Sequence, residues 1–162
     1  MSVARHYGGG FIILSFILAL AAHMVMLPDW AENLRPDWIA LVLIYWCIAL
    51  PERVGVGVGW LAGLTQDVAS GALLGQNALI LAIVAYLALR LHQRIRLFPL
   101  WQQSVSVLLL ILLHLMLALW IKGAFSQSTE TWAYWLPALT SMLIWPAVFT
   151  GLRWMRRSYR VR

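Results

Sequence analysis

The sequence predicts an all-α integral membrane protein of six transmembrane helices, and three observations carry that expectation. Over 162 residues the chain is 62% hydrophobic and 11% charged, whereas a soluble domain carries about a quarter charged residues. The apolar residues gather into six segments parted by short polar stretches. The basic residues fall almost wholly on alternate connections between those segments. The length allows one compact bundle and no second soluble domain, so residues 1–162 are expected to form a single transmembrane domain.

The first span is expected at 11–27. Arg5 and His6 precede it as in a signal peptide, but no small-residue cleavage pattern follows, so an uncleaved span is predicted. Pro28 ends it, and residues 29–36 form a polar loop with Trp30, Glu32 and Arg35. The second span, 37–50, opens on Arg35, Pro36 and Asp37; Pro36 suits a first helical turn and Asp37 the positive end of the helix dipole. Pro51, Glu52 and Arg53 make a tight turn expected on the cytoplasmic side. The third span is placed at 54–67, the fourth at 72–91, the fifth at 105–121 and the sixth at 136–152.

The second and third segments are short, each reaching about 21 Å at about 1.5 Å per residue against a hydrocarbon core of about 30 Å. Either the bilayer thins around them or they sit inside the bundle beside irregular backbone that protein or a cavity satisfies. Thr65 to Asn77 is the expected irregular piece.

Orientation follows from the basic residues. With both termini in the cytoplasm, that side holds Arg5, Arg53, Arg90, Arg94, Arg96, Arg153, Arg156, Arg157, Arg160 and Arg162, and the other side only Arg35 and Lys122. The net charge of +6 is thus explained by topology, with no need of nucleic acid. The basic ends also suit contact with membrane lipids. Trp30, Trp38, Trp101, Trp120, Trp132, Trp135 and Trp154 lie near span ends, as an interfacial aromatic belt requires. The single cysteine, Cys47, lies in an apolar run and has no intrachain partner.

Gly55, Gly59 and Gly63 recur at every fourth position, Asp67 takes the next place, and Gly71 and Gly75 continue the series. Such a stripe bares one side of a helix for close packing, either within the bundle or against a partner helix. Asp67 is expensive at membrane depth and is expected to mark a cavity, a pair or a site. Gln66 and Asn77 could supply hydrogen bonds to it, with Arg35 or His23 as a charge partner, and Gln76 joins them in the expected polar site. Gly71, Gly75, Gln76 and Asn77 read as a bend and the start of the next helix. His6, His23, His92 and His114 are scattered, with no metal-ligand spacing, and no nucleophile and base are arrayed together. No metal, no cofactor and no enzymatic activity are therefore expected.

Arg35-Pro36-Asp37, Leu50-Pro51-Glu52-Arg53-Val54-Gly55, Gly59, Gly63-Leu64, Gln66-Asp67, Gly71, and Leu74-Gly75-Gln76-Asn77-Ala78-Leu79 with Tyr86 together resemble the bacterial rod shape-determining family MreD. The resemblance covers the chain, with its specific part at Arg35 to Tyr86. It implies a multi-pass, non-enzymatic scaffold or regulator of the elongation complex in the bacterial inner membrane. The implied partners are MreC first, then MreB, RodA and a class B penicillin-binding transpeptidase, acting in lateral peptidoglycan synthesis, with self-association left open. It also implies a fold similar to the substrate-binding subunits of energy-coupling-factor transporters, with a small cavity near the outer leaflet. The alternative function is a small-molecule or lipid-binding subunit of a transporter-like complex.

Overall fold

In the computed structural model, which describes residues 8–125 and 132–159, the chain runs through α1 (Gly9–Met24), a single turn α2 (Asp29–Glu32), α3 (Trp38–Ala49), α4 (Val56–Ser70), α5 (Gln76–Leu97), α6 (Leu100–Ala124), a 3-10 turn (Trp132–Trp135) and α7 (Leu136–Ser158). Among the described residues there is no strand. Arg5, His6, Arg160 and Arg162 lie outside them.

The centre of the bundle is α3. Ten consecutive residues, Ile39 to Ile48, are buried, so no side of this helix faces outwards. It packs against α1, α5, α6 and α7. That enclosure accounts for its 12 residues: a helix walled by other helices need not match the full apolar thickness itself. Of the two explanations for a short second segment, the interior one holds. The indole Nε1–H of Trp46 donates to Ser15 Oγ at 2.8 Å and ties α1 to the centre. At the far end of α3, Arg96 Nη2 donates to the carbonyls of Ile48 at 2.6 Å and Ala49 at 3.2 Å, and Arg156 Nη1 reaches Ala49 O at 3.4 Å. These are the last carbonyls of a helix, which have no partner inside it. The two arginines therefore do structural work in addition to marking a side.

Several boundaries differ from expectation. Thr65 to Ser70 stay helical in α4, and only residues 71–75 break the chain before α5. The fourth segment consequently starts at Gln76, not at 72. At its other end α5 runs on through Arg90, Arg94 and Arg96 to Leu97, and α6 starts at Leu100, ahead of residue 105. Hydropathy marks the apolar portion of a helix, whereas backbone hydrogen bonding continues beyond it until Pro99, which disfavours helix in the residue before it.

Three helices are long and apolar enough to cross a membrane: Gln76–Leu97, Leu100–Ala124 and the continuous stretch Trp132–Ser158. Gly9–Met24 and Trp38–Ala49 are apolar but shorter. Trp30, Trp101, Trp120, Trp132, Trp135 and Trp154 are exposed and Trp38 is half-buried, while Trp46 and Trp145 belong to the core.

Candidate functional site

The seam between α4 and α5 is built by two of the glycines. A Cβ on Gly59 would stand 2.8 Å from Leu81 O and 3.0 Å from Ala85 Cβ, and one on Gly63 would overlap the backbone of Ala78 and Asn77. Bare positions let the backbones touch. The surface received by this part of the stripe is α5 of the same chain. Gly55 is looser, since a Cβ there would meet only Leu89 Cδ1 at 3.9 Å. Gly71 and Gly75 contribute no close packing. They hold φ values of +65° and +95° at the two ends of the connection, a backbone region that strongly favours glycine.

Asp67 is buried and sits one turn before Gly71. Its Oδ2 accepts from the backbone N–H groups of Gly75 at 2.9 Å and Ala78 at 3.4 Å; its Oδ1 accepts from the backbone and side-chain N–H groups of Asn77 at 3.1 and 2.9 Å. The first N–H groups of a helix lack internal partners and form the positive end of its dipole. Glycine at the cap of α5 has no side chain to serve them, and the carboxylate of α4 does so instead. Neither of the side chains weighed as charge partners of Asp67 meets it: Arg35 bonds elsewhere, and His23 Nδ1 has no hydrogen-bond partner.

Asp37 is the centre of a second cluster. As the cap of α3 it accepts from Ala40 N–H at 3.3 Å through Oδ1, and its own N–H donates to Ser141 Oγ of α7 at 3.0 Å. His114 of α6 brings Nδ1 to 2.6 Å from Asp37 Oδ2, off the straight line of a ring N–H donor. Arg35 is anchored by Nη2, which donates to Val25 O at 2.7 Å. Three helices thus meet at one residue, α3 and α6 at its carboxylate and α7 at its backbone N–H. Ser141→Ala removes the acceptor of the Asp37 N–H, and a loss of about 1 kcal/mol is expected. A thermal unfolding curve in detergent that coincides with the parent's would contradict that.

These two clusters border one polar cavity of about 410 Å³. Asp37, His114, Gln66, His23 and Arg35 line it, together with Gln76 and Asn77 from the first turn of α5. Of the polar residues singled out around Asp67, Gln66, Gln76 and Asn77 reach the cavity, whereas Asp67 itself points its carboxylate into the α5 terminus. Pro36 and Arg35 reach it from the start of α3, and Glu32 lies at its rim. Pro51, Glu52 and Arg53 form the turn after α3, as expected, with Arg53 N–H and Val54 N–H both donating to Leu50 O at 3.1 Å. That turn is no part of the cavity.

Sequence reasoning left His114 and Ser141 out of the site and considered His23 only as a charge partner of Asp67. His114 carried one signal, an ionisable residue deep in an apolar segment, but its partner is 77 positions away. Among the described residues no group of three His, Cys, Asp or Glu side chains is placed to hold a metal ion.

Membrane-length apolar helices, a glycine-packed helix pair and a polar cavity define a helical membrane protein. The family model described as rod shape-determining protein MreD matches residues 4–155. The rod shape-determining protein MreD of Haemophilus influenzae is 34% identical over 152 residues, covering 93% of this chain and 94% of the relative. The chain belongs to the MreD family of rod shape-determining proteins. No solved structure matches it.

Proposed function

We propose that the protein is a non-enzymatic, multi-pass component of the bacterial inner membrane that maintains rod shape by supporting lateral peptidoglycan synthesis together with MreC. The family match across almost the whole chain carries this reading. Six spans with both termini in the cytoplasm fit the bundle, with α3 as its short inner member and α4 packed on α5 at its side. The arginine pattern supports that orientation: Arg96 and Arg156 converge on the end of α3, while Arg35 and Lys122 line the cavity beyond its start. In this orientation the cavity opens towards the outer leaflet. MreB, RodA and the class B transpeptidase would join directly or through the complex.

Expression of this chain in rod-shaped cells depleted of their own MreD is expected to restore rods and to recover MreC with the protein after detergent extraction. Spherical cells despite normal membrane levels would sink the proposal. The cavity favours a second reading, a small-molecule or lipid-binding subunit of a transporter-like complex similar to the energy-coupling-factor family. That reading predicts thermal stabilisation of the purified protein by a vitamin.

A further inference from the structure

Residues that line the cavity carry buried polar atoms that the fold leaves without partners. Gln66 is 5% exposed, and its Oε1 has no hydrogen-bond donor. Arg35 Nε–H has no acceptor, and His23 Nδ1 has no partner. Native proteins pair such groups almost without exception, with protein, water or ligand. Their chemistry is specific: an amide oxygen only accepts and a guanidinium N–H only donates. An occupant that pairs these groups brings a donor to Gln66 and an acceptor to Arg35.

Charge narrows the class. Arg35 and Lys122 place positive groups on the wall, and Glu32 and Asp37 place negative ones there. A simple anion would meet the two carboxylates, and a simple cation would meet the two basic groups. A group carrying both signs a few bonds apart complements both. The volume of about 410 Å³ lies within the range of small-molecule sites, roughly 300 to 1,000 Å³. Arg35 is already held by its bond to Val25 O, so its Nε–H is fixed in place before anything binds.

We propose that this cavity binds a zwitterionic group, an oxyanion joined by a short linker to an ammonium, with the oxyanion on Arg35 Nε–H and the ammonium on Gln66 Oε1. Phosphoethanolamine has this chemistry, whether free or as the headgroup of a phospholipid. The inference does not depend on the cell-shape role, which depletion and rescue test separately.

The test uses delipidated full-length protein and isothermal titration with phosphoethanolamine, inorganic phosphate and ethylamine. Phosphoethanolamine is expected to bind roughly tenfold or more tightly than either fragment carrying charge of one sign, the gain from one further charge-assisted contact. Gln66→Leu and Arg35→Gln should each weaken it by roughly tenfold. Unfolding midpoints measured without ligand separate lost binding from lost fold, and Gln66→Met serves if the leucine variant does not fold. Native mass spectrometry from nanodiscs containing phosphatidylethanolamine or phosphatidylglycerol then identifies the source. Retention of phosphatidylethanolamine that Gln66→Leu abolishes marks the lipid, and binding of the free compound without lipid retention marks a soluble ligand. Equal binding of phosphate alone, binding indifferent to both substitutions, or no binding of any zwitterion in either format overturns the proposal.

Discussion

Gly63→Leu is expected to destabilise the protein by about 3 kcal/mol or more, the upper end of what overpacked interiors cost. The reason is the kind of neighbour involved. A Cβ at this position would overlap Ala78 Cα, Ala78 N and Asn77 O, all of them backbone atoms that no change of rotamer can move. Relief would require α5 to shift away from α4, and the same residues anchor the Asp67 carboxylate. Overpacking and loss of the cap would therefore occur together. Gly59→Leu should follow with a smaller loss, because two of its three nearest neighbours, Ala85 Cβ and Leu43 Cδ2, are side-chain atoms. Gly57→Ala is the control: it is exposed, on the same helix, with nothing within 4 Å of the added carbon. It should be neutral or stabilising by about 0.5 to 1 kcal/mol, the difference between glycine and alanine in a helix. Unfolding in graded denaturing detergent gives the ranking, and Ala78→Gly should fail to rescue Gly63→Leu because the clash is with main chain. If Gly63→Leu unfolded together with Gly57→Ala, the seam would not be where the stripe acts.

The glycine stripe was legible because its signal is local. Spacing along one helix states which side is bare, and only the identity of the opposing helix had to come from the fold. The central place of α3 was less legible. Its sequence is uniformly apolar, and hydropathy assigns the same value to a side chain facing lipid as to one facing other helices. Only the shortness of the segment hinted at an interior position. Asp67 was recognised as anomalous from its sequence context, and the Asn77 side chain was correctly expected to bond to it. The opposite charge sought in Arg35 or His23 is not there, and the remaining donors are unpaired backbone N–H groups at a helix start. The Asp37 cluster was hidden for another reason. Asp37, His114 and Ser141 lie on three helices, and no spacing rule connects residues 77 or 104 positions apart. His23 and Arg35 were noticed one at a time, but a cavity is a property of the assembled bundle.

Asp67→Ala is expected to cost about 3 kcal/mol or more, and Asp67→Asn somewhat less, at about 1.5 to 3 kcal/mol. These magnitudes follow from the number of donors left behind. Removing the carboxylate leaves three backbone N–H groups and the Asn77 amide facing a site with no acceptor, and each unsatisfied buried donor costs about 1 to 3 kcal/mol before relaxation. Asparagine keeps one oxygen, so it can serve one half of the fan. Its own N–H groups would then point at the donors on the other half, and the negative charge opposite the helix dipole is lost. Asn77→Ala provides the contrast: it removes only the side-chain bond and leaves the three backbone bonds in place, for a loss of about 1 kcal/mol. The consequences should extend past stability. The first turn of α5 supplies Gln76 and Asn77 to the cavity, so loosening that turn displaces part of the wall. Faster amide exchange confined to residues 75–79 in Asp67→Asn, with the centre of α3 still protected, is the expected pattern. Uniform loss of protection would assign Asp67 to global folding alone, and unchanged exchange with an unchanged unfolding midpoint would show that the carboxylate is not what holds the start of α5.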